Sequence, residues 1–284
     1  MYRHRGHAIS FHDEGEGPAL LVIHGFPTAS WDFHPLWADL TARFRVIAPD
    51  LLGFGDSDKP RDHDYSILDQ ASMIEGLMAD RKVARAHLFA HDYGDTVAQE
   101  LLARHEERTA RGEAGLGIGS IVLLNGGLFP EAHRARFIQK LLASPIGGLL
   151  GRFTSRRTFE AGLRGVFGPN TQPSAQILGE LWDLFERNDG KRVVHLILGY
   201  LAERRRHRER WVEPLRTTAI PIRFIDGLLD PVSGAHMVAR YRELVPRPDV
   251  VELPGVGHYP QVEDPAGVRS AFLAFHDRLG GQAA

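Results

Sequence analysis

The sequence predicts an α/β protein with a mostly parallel central sheet and an inserted helical cap. Three observations lead there. Short, fully apolar runs such as Ala19–Ile23 and Ile121–Leu124 alternate with stretches of helical periodicity, as right-handed βαβ crossovers require. The alternation stops after Asn125 and resumes at Ile220, and the residues between read as helical with no buried strand. Within the run Leu88-Phe89-Ala90-His91-Asp92-Tyr93-Gly94-Asp95, an apolar strand breaks between two small residues, Ala90 and Gly94, and a helical pattern follows. The expected division is a core of residues 1–126 and 214–284 around a cap of residues 127–213.

Residues 2–12 read as two short strands about Gly6, followed by a turn at Glu14–Pro18. Ala19–Ile23 is a buried strand ending in His24-Gly25-Phe26-Pro27. A helical pattern carrying Trp31, Phe33, Leu36, Trp37 and Leu40 comes next. Phe44–Ala48 is a strand, Pro49–Asp58 a turn-rich loop, and Ile67–Met78 a helix. The broken strand and its helix, Thr96–His105, are followed by a polar, Gly-rich stretch, Arg108–Gly119, expected to be a loop. Beyond the cap come a strand at Ile220–Ile225, a helix at Ala235–Leu244, a strand at Val250–Leu253 and a helix at Val268–Leu279. The basic run Arg204–Arg210 is expected to be the solvated face of a cap helix, with anion binding as the lesser alternative.

Apolar residues make up 43% and charged residues 25%, enough for a sizeable core. A formal charge of −2 gives no reason to expect nucleic acid or an anionic membrane as partner. Cysteine is absent, so neither disulfides nor thiolate-bound metals arise. The fifteen histidines are scattered, without H-E-x-x-H, so no metal and no cofactor is expected. No signal-like or membrane-length apolar run occurs, and a cytoplasmic location is the expectation. The sequence is silent on oligomeric state.

The turn at Asp92 has the pattern of a nucleophile elbow with aspartate where serine is usual. Its partners stand beyond the ends of later strands, where open α/β sheets put their sites. The strand at Ile222–Ile225 runs into Asp226-Gly227-Leu228-Leu229-Asp230, and the strand at Val250–Leu253 into Pro254-Gly255-Val256-Gly257-His258. Asp230 is preferred to Asp226 as the acid, because Asp226 lies too near the strand end to reach across. The order nucleophile, acid, histidine is that of the α/β-hydrolase fold. The backbone N–H groups of Phe26 and Tyr93 are the expected oxyanion-hole donors. His24, Trp31 and Phe129 are expected to line the substrate pocket.

On the motifs HGFP, HDYG, DPV and GHYPQ the chain resembles α/β-hydrolases of the epoxide hydrolase and haloalkane dehalogenase branch. Asn125–Glu131, Phe167-Gly168-Pro169, Asn188-Asp189-Gly190, Arg210-Trp211 and Gly257–Gln261 make it similar also to the mesoderm-specific transcript family, over nearly the whole chain. The resemblance implies two tyrosines in the cap as proton donors. Tyr200 is the only tyrosine in the cap segment, with His207 and His195 as weaker candidates for the second donor.

An aspartate, whose carboxyl ordinarily titrates at about pH 3.9, is ionised without help from a base. Its attack on an ester or amide would give an anhydride, whereas attack on a strained saturated carbon gives an alkyl ester that water can hydrolyse. Hydrolysis of an apolar epoxide to a diol is therefore the expected activity. A haloalkane dehalogenase is the alternative, though Phe26 and Tyr93 lack the side-chain N–H donors that its Asn and Trp provide. An arginine after the nucleophile, as in fluoroacetate-type dehalogenases, is missing as well. A hydrolase-like protein kept for binding is the reading of another class.

Overall fold

The structure, a computed structural model, describes residues 1–282. β1 (Tyr2–His4) and β2 (His7–Ile9) pair as a separate antiparallel hairpin, turned by Arg5 and Gly6 at positive φ. The main sheet contains β3 (Phe11–Glu14), β4 (Ala19–Ile23), β5 (Arg45–Pro49), β6 (Arg85–His91), β7 (Gly117–Leu124), β8 (Ile222–Gly227) and β9 (Val250–Leu253). Their order is β3-β5-β4-β6-β7-β8-β9, antiparallel only between β3 and β5. The most apolar strands, β4, β6 and β7, are therefore central, and their carboxyl ends lie side by side.

A 3₁₀ turn (Ser30–Leu36) leads into α1 (Trp37–Thr41), followed along the chain by α2 (Ile67–Asp80) and α3 (Tyr93–Arg111). Between β7 and β8 come α4 (Phe137–Leu142), α5 (Gly147–Arg152), α6 (Arg156–Arg164), α7 (Ala175–Glu186), α8 (Val194–Ile197), α9 (Tyr200–Arg206) and α10 (Arg208–Thr217). No strand occurs there among the described residues. α11 (Ala235–Leu244), α12 (Pro260–Glu263) and α13 (Pro265–Gln282) complete the chain. No helix among the described residues is long and apolar enough to cross a membrane.

Alternation along the strands sorts the core into two layers. Leu21, Ile23, Leu88, Ala90, Ile121 and Leu123 face α2, α3, α11 and the helices between β7 and β8. Leu20, Val22, Phe89, Val122 and Leu124 face Phe33, Phe44, Phe272 and Phe275 on the other side. Burial on both faces explains why these strands read as continuous apolar runs rather than as alternating ones.

Three boundaries differ from the sequence reading. α3 begins at Tyr93 instead of Thr96, because Asp92 alone absorbs the reversal at φ 48°, ψ −103°. Of the stretch expected to be a loop, 108–119, only 112–116 is one, with 108–111 ending α3 and 117–119 opening β7. Residue 213, the expected end of the cap, falls inside α10, whose Trp211, Val212 and Leu215 are buried.

The turn at Asp92 is crowded. A Cβ on Gly94 would stand 2.3 Å from the Ile23 carbonyl oxygen and 2.7 Å from that of His24. Both are backbone atoms of the central strand and its exit, with little freedom to move. Gly94→Ala is expected to cost about 2–3 kcal/mol and to lower Tm by several degrees, as overpacking does. Calorimetric unfolding of that variant checks this, and an unchanged Tm would contradict the close approach.

Candidate active site

Asp92 stands at the carboxyl end of β6, in a conformation that costs a non-glycine residue of order 1–3 kcal/mol. Its carboxylate is buried, and its Oδ2 accepts a hydrogen bond from Phe26 N–H at 3.1 Å. Tyr93 N–H heads α3, in the first turn, where amides have no intrahelical partner. Of the two expected donors, the Phe26 amide is on the carboxylate, and the Tyr93 amide stands next along the chain at the head of α3. The Tyr93 side chain is fully buried against Phe54 and Tyr200.

His258, beyond β9, has its Nε2 3.8 Å from Asp92 Oδ2 and its Nδ1 2.7 Å from Asp230 Oδ2. Asp230 also accepts from Val232 N–H (2.7 Å), Ser233 N–H (3.1 Å), the Ser233 hydroxyl (2.8 Å) and Asn125 Nδ2 (3.2 Å). So many donors to one carboxylate favour its ionised form. Asp226 does not join this set. Its carboxyl oxygens are buried without hydrogen-bond partners, and burial, then the neighbouring Asp230 charge, pushes its pKa well up. Asp95, in the first turn of α3, has its pKa pushed well up for the same reasons, burial first and Asp92 second.

The ionisation states follow from these contacts. Burial alone would raise the Asp92 pKa. The facing His258, and then Arg204, outweigh it and hold the group below the ordinary carboxylate range. Burial alone would likewise strip the proton from His258, but Asp230 and Asp92 together raise its pKa well above the usual histidine value.

The composition of its run puts Arg204 on a solvated face, and here the structure corrects the sequence reading. Its side chain is 2% exposed, with Nε bonded to the Thr96 hydroxyl at 2.8 Å and Nη2 to the Asp92 carbonyl at 3.3 Å. Nη2 is also 4.0 Å from Asp92 Oδ1. Glu203, the preceding residue, accepts from the Ser66 hydroxyl and Ile67 N–H, both at 2.8 Å, fixing α9 on the start of α2. The rest of the run is paired or exposed: Arg208 binds Glu131 and Arg210 binds Glu100, while Arg205 and Arg206 face solvent. A signal for Arg204 existed in the sequence, because it follows Tyr200 by four residues and so shares its helix face.

Tyr200 is buried against Tyr93, with Arg204 stacked 4.6 Å from its ring centre. Its hydroxyl has no hydrogen-bond partner among the described residues. Burial, then the Asp92 charge, keeps it a neutral phenol. His207 packs on Trp211 and His195 lines a separate groove, and neither makes a hydrogen bond with the Tyr200 hydroxyl.

An apolar cavity of about 130 Å³ reaches Phe26 and His258 and is walled by Phe159, Leu163, Phe185 and Val194 from the helices between β7 and β8. The three side chains expected to line the pocket do not line this cavity. His24 is fully buried and structural, with Nε2 accepting from Leu51 N–H at 3.0 Å. Trp31 stacks on His34 in a separate surface groove, and Phe129 is core packing near Tyr241. No group of three His, Asp or Glu side chains gathers in metal-binding geometry among the described residues.

Comparisons with known proteins agree with this architecture. Residues 20–271 match a family described as the alpha/beta hydrolase family. The chain is 43% identical to the mesoderm-specific transcript protein of Mus musculus over 97% of its own length and 84% of that protein's. It superposes on a haloalkane dehalogenase loop variant from Bradyrhizobium elkanii with a TM-score of 0.80, at 19% identity, covering 99% and 96% of the two chains. The epoxide hydrolase CorEH gives a TM-score of 0.76 at 18% identity, covering 97% and 96%.

The charge arrangement makes a measurable prediction. A histidine whose folded pKa is raised stabilises the fold below its unfolded value of about 6.5, and that contribution fades as pH climbs through the folded pKa. Asp92→Asn removes one of the two carboxylates facing His258. The imidazole should then lose its proton at lower pH, and the stabilising window should shrink from its alkaline side. NMR titration of the His258 ring checks this, and an unmoved titration would contradict the assigned pairing.

Proposed function

Because the chain belongs to the alpha/beta hydrolase family, as a relative of the mesoderm-specific transcript proteins, we propose that it is an epoxide hydrolase working through an aspartyl ester. One observation carries this reading: an ionised carboxylate at the elbow, with an amide on one oxygen and the His258–Asp230 pair beside it. The helices from residue 127 to 213 act as the cap that closes over it.

In the first step Asp92 Oδ1, the oxygen turned away from Phe26 N–H, attacks a ring carbon. The C–O bond of the epoxide breaks, and Tyr200 hydrogen-bonds the departing oxygen. A neutral phenol with no competing partner suits that role. Arg204 beside it offsets the negative charge that grows there as the charge on Asp92 is consumed.

Alkylation makes Asp92 neutral. His258 then retains only Asp230 as a negative neighbour, its pKa falls, its proton passes to the alkoxide held by Tyr200, and the neutral imidazole is a base when one is first needed. It takes a proton from water, whose oxygen attacks the Asp92 carbonyl carbon. The oxyanion forms on Oδ2, facing Phe26 N–H and Tyr93 N–H, each such donor being worth about 10²–10³ in rate. Collapse expels the ester oxygen, which takes the proton from His258 to complete the diol, and the Asp92 carboxyl proton passes back to His258, restoring the carboxylate and the imidazolium.

A haloalkane substrate fits the same covalent route less well, since the side chains of Phe26 and Tyr93 bring no N–H to a halide. A halide-release assay separates the two readings, and trapped alkyl-enzyme would dispose of a purely binding role.

In a single turnover of styrene oxide in heavy-oxygen water, the label should appear in Asp92 and not in the diol. A diol labelled in the first turnover would sink the covalent route. His258→Gln should stall after one equivalent, with the alkyl-enzyme visible by mass spectrometry. Tyr200→Phe should lower kcat by about 10²-fold or more, the usual scale for a lost proton donor.

A further inference from the structure

A second opening reaches Arg204 from outside. The groove, of about 670 Å³, runs between the loop after β7, α4 and the α8–α9 junction. Arg134, Lys140 and Arg205 stand on its walls, together with His133 and His195, and no carboxylate lines it. None of the three outer cations is in an ion pair with a carboxylate among the described residues, unlike Arg208, Arg210 and Arg240 nearby.

Its floor is a buried cation with an unsatisfied face. Arg204 Nη1 is buried with no hydrogen-bond partner among the described residues, and the same holds for His133 Nε2 and His195 Nδ1. Buried polar atoms nearly always have partners, and Nη1 can only donate, so it marks a place for an acceptor, as each of the two imidazole nitrogens does in its N–H tautomer. Gly127 makes room for the guanidinium itself: a Cβ there would meet Arg204 Nη1 at 2.0 Å and the His133 ring at 2.7 Å. Any side chain there would displace the guanidinium.

We propose that this groove binds an oxyanion, a carboxylate or phosphate, which is the anionic end of the substrate turned over at Asp92. This rests on the reading of the site as an epoxide hydrolase for what the substrate's other end does, but not for the binding itself. An oxyanion accepting from Nη1 at about 2.9 Å stands one guanidinium width from the Nη2 that faces Asp92 Oδ1. Arg204 is then shared: one edge on the carboxylate of Asp92, the other on the ligand. The apolar cavity at His258 takes the hydrocarbon part. The substrate class is an amphiphile, acidic at one end and carrying its epoxide a few bonds away.

Calorimetry on the whole protein with hexanoate, butyl phosphate and hexanamide tests the binding. At least one of the two anions should bind more tightly than the amide, by about tenfold or more, the scale of a charge-assisted hydrogen bond. Which of the two binds more tightly identifies the head group. The triple variant Arg134→Ala, Lys140→Ala, Arg205→Ala should weaken the anions about five- to tenfold, as loss of several partly screened charges does, and leave the amide unchanged. The single variants, and the charge-keeping Arg205→Lys, serve if the triple variant fails to fold. Equal affinity for anions and amide, or anion affinity indifferent to every substitution, overturns the proposal. Turnover separates it from the reading on which it rests. The variants should raise KM for 5,6-epoxyhexanoate and not for 5,6-epoxyhexanamide. Anion binding that depends on the groove, with neither epoxide hydrolysed, would keep the groove and overturn the epoxide reading.

Discussion

A buried carboxylate is costly to keep ionised, and the centre of this protein is arranged to meet that cost at Asp92. Four buried charges stand in contact: Asp92, His258, Asp230 and Arg204. With the histidine protonated they sum to zero. Removing one partner would strand the others in a medium where an unpaired charge costs several kcal/mol. Asp95 and Asp226 fit the same rule: their carboxyl oxygens are buried without partners among the described residues, and their pKa values are pushed up.

That balance depends on the helices between β7 and β8. Tyr200 and Arg204 share one face of α9, and α9 is held from both sides. Glu203 ties it to the start of α2, and the Thr96 hydroxyl ties Arg204 to the first turn of α3. α10 adds a second anchor, because buried Glu100 on α3 accepts from Arg104, Arg210 and the Trp211 indole. Electrostatics at the elbow and docking of the inserted helices are therefore one problem. A shift of α9 would take away the cation that helps hold Asp92 ionised.

The two openings differ in chemistry as the two sides of Asp92 do. The side with Phe26 and His258 meets an apolar cavity, and the side with Arg204 meets a basic groove. Asp92 has an amide and an imidazole on Oδ2 and a guanidinium towards Oδ1. A carboxylate so divided has one oxygen held by an amide and the other facing a cation, the asymmetry the proposed nucleophile uses.

By itself the sequence determined the sheet, the turn at Asp92 and the positions of Asp230 and His258. Those features depend on local pattern: continuous apolar strands, small residues flanking a sharp turn, and polar residues just past strand ends. It did not determine which side chains line the cavity. His24, Trp31 and Phe129 are as apolar or polar as pocket residues would be, and only packing sends His24 to Leu51 N–H, Phe129 into the core and Trp31 to another groove. Nor did it separate Arg204 from the solvated run it opens, since the composition of Arg204–Arg210 reads as surface throughout. The helix face of Tyr200, pressed onto α3 by contacts far apart in the chain, decided that one arginine of the run is buried beside Asp92.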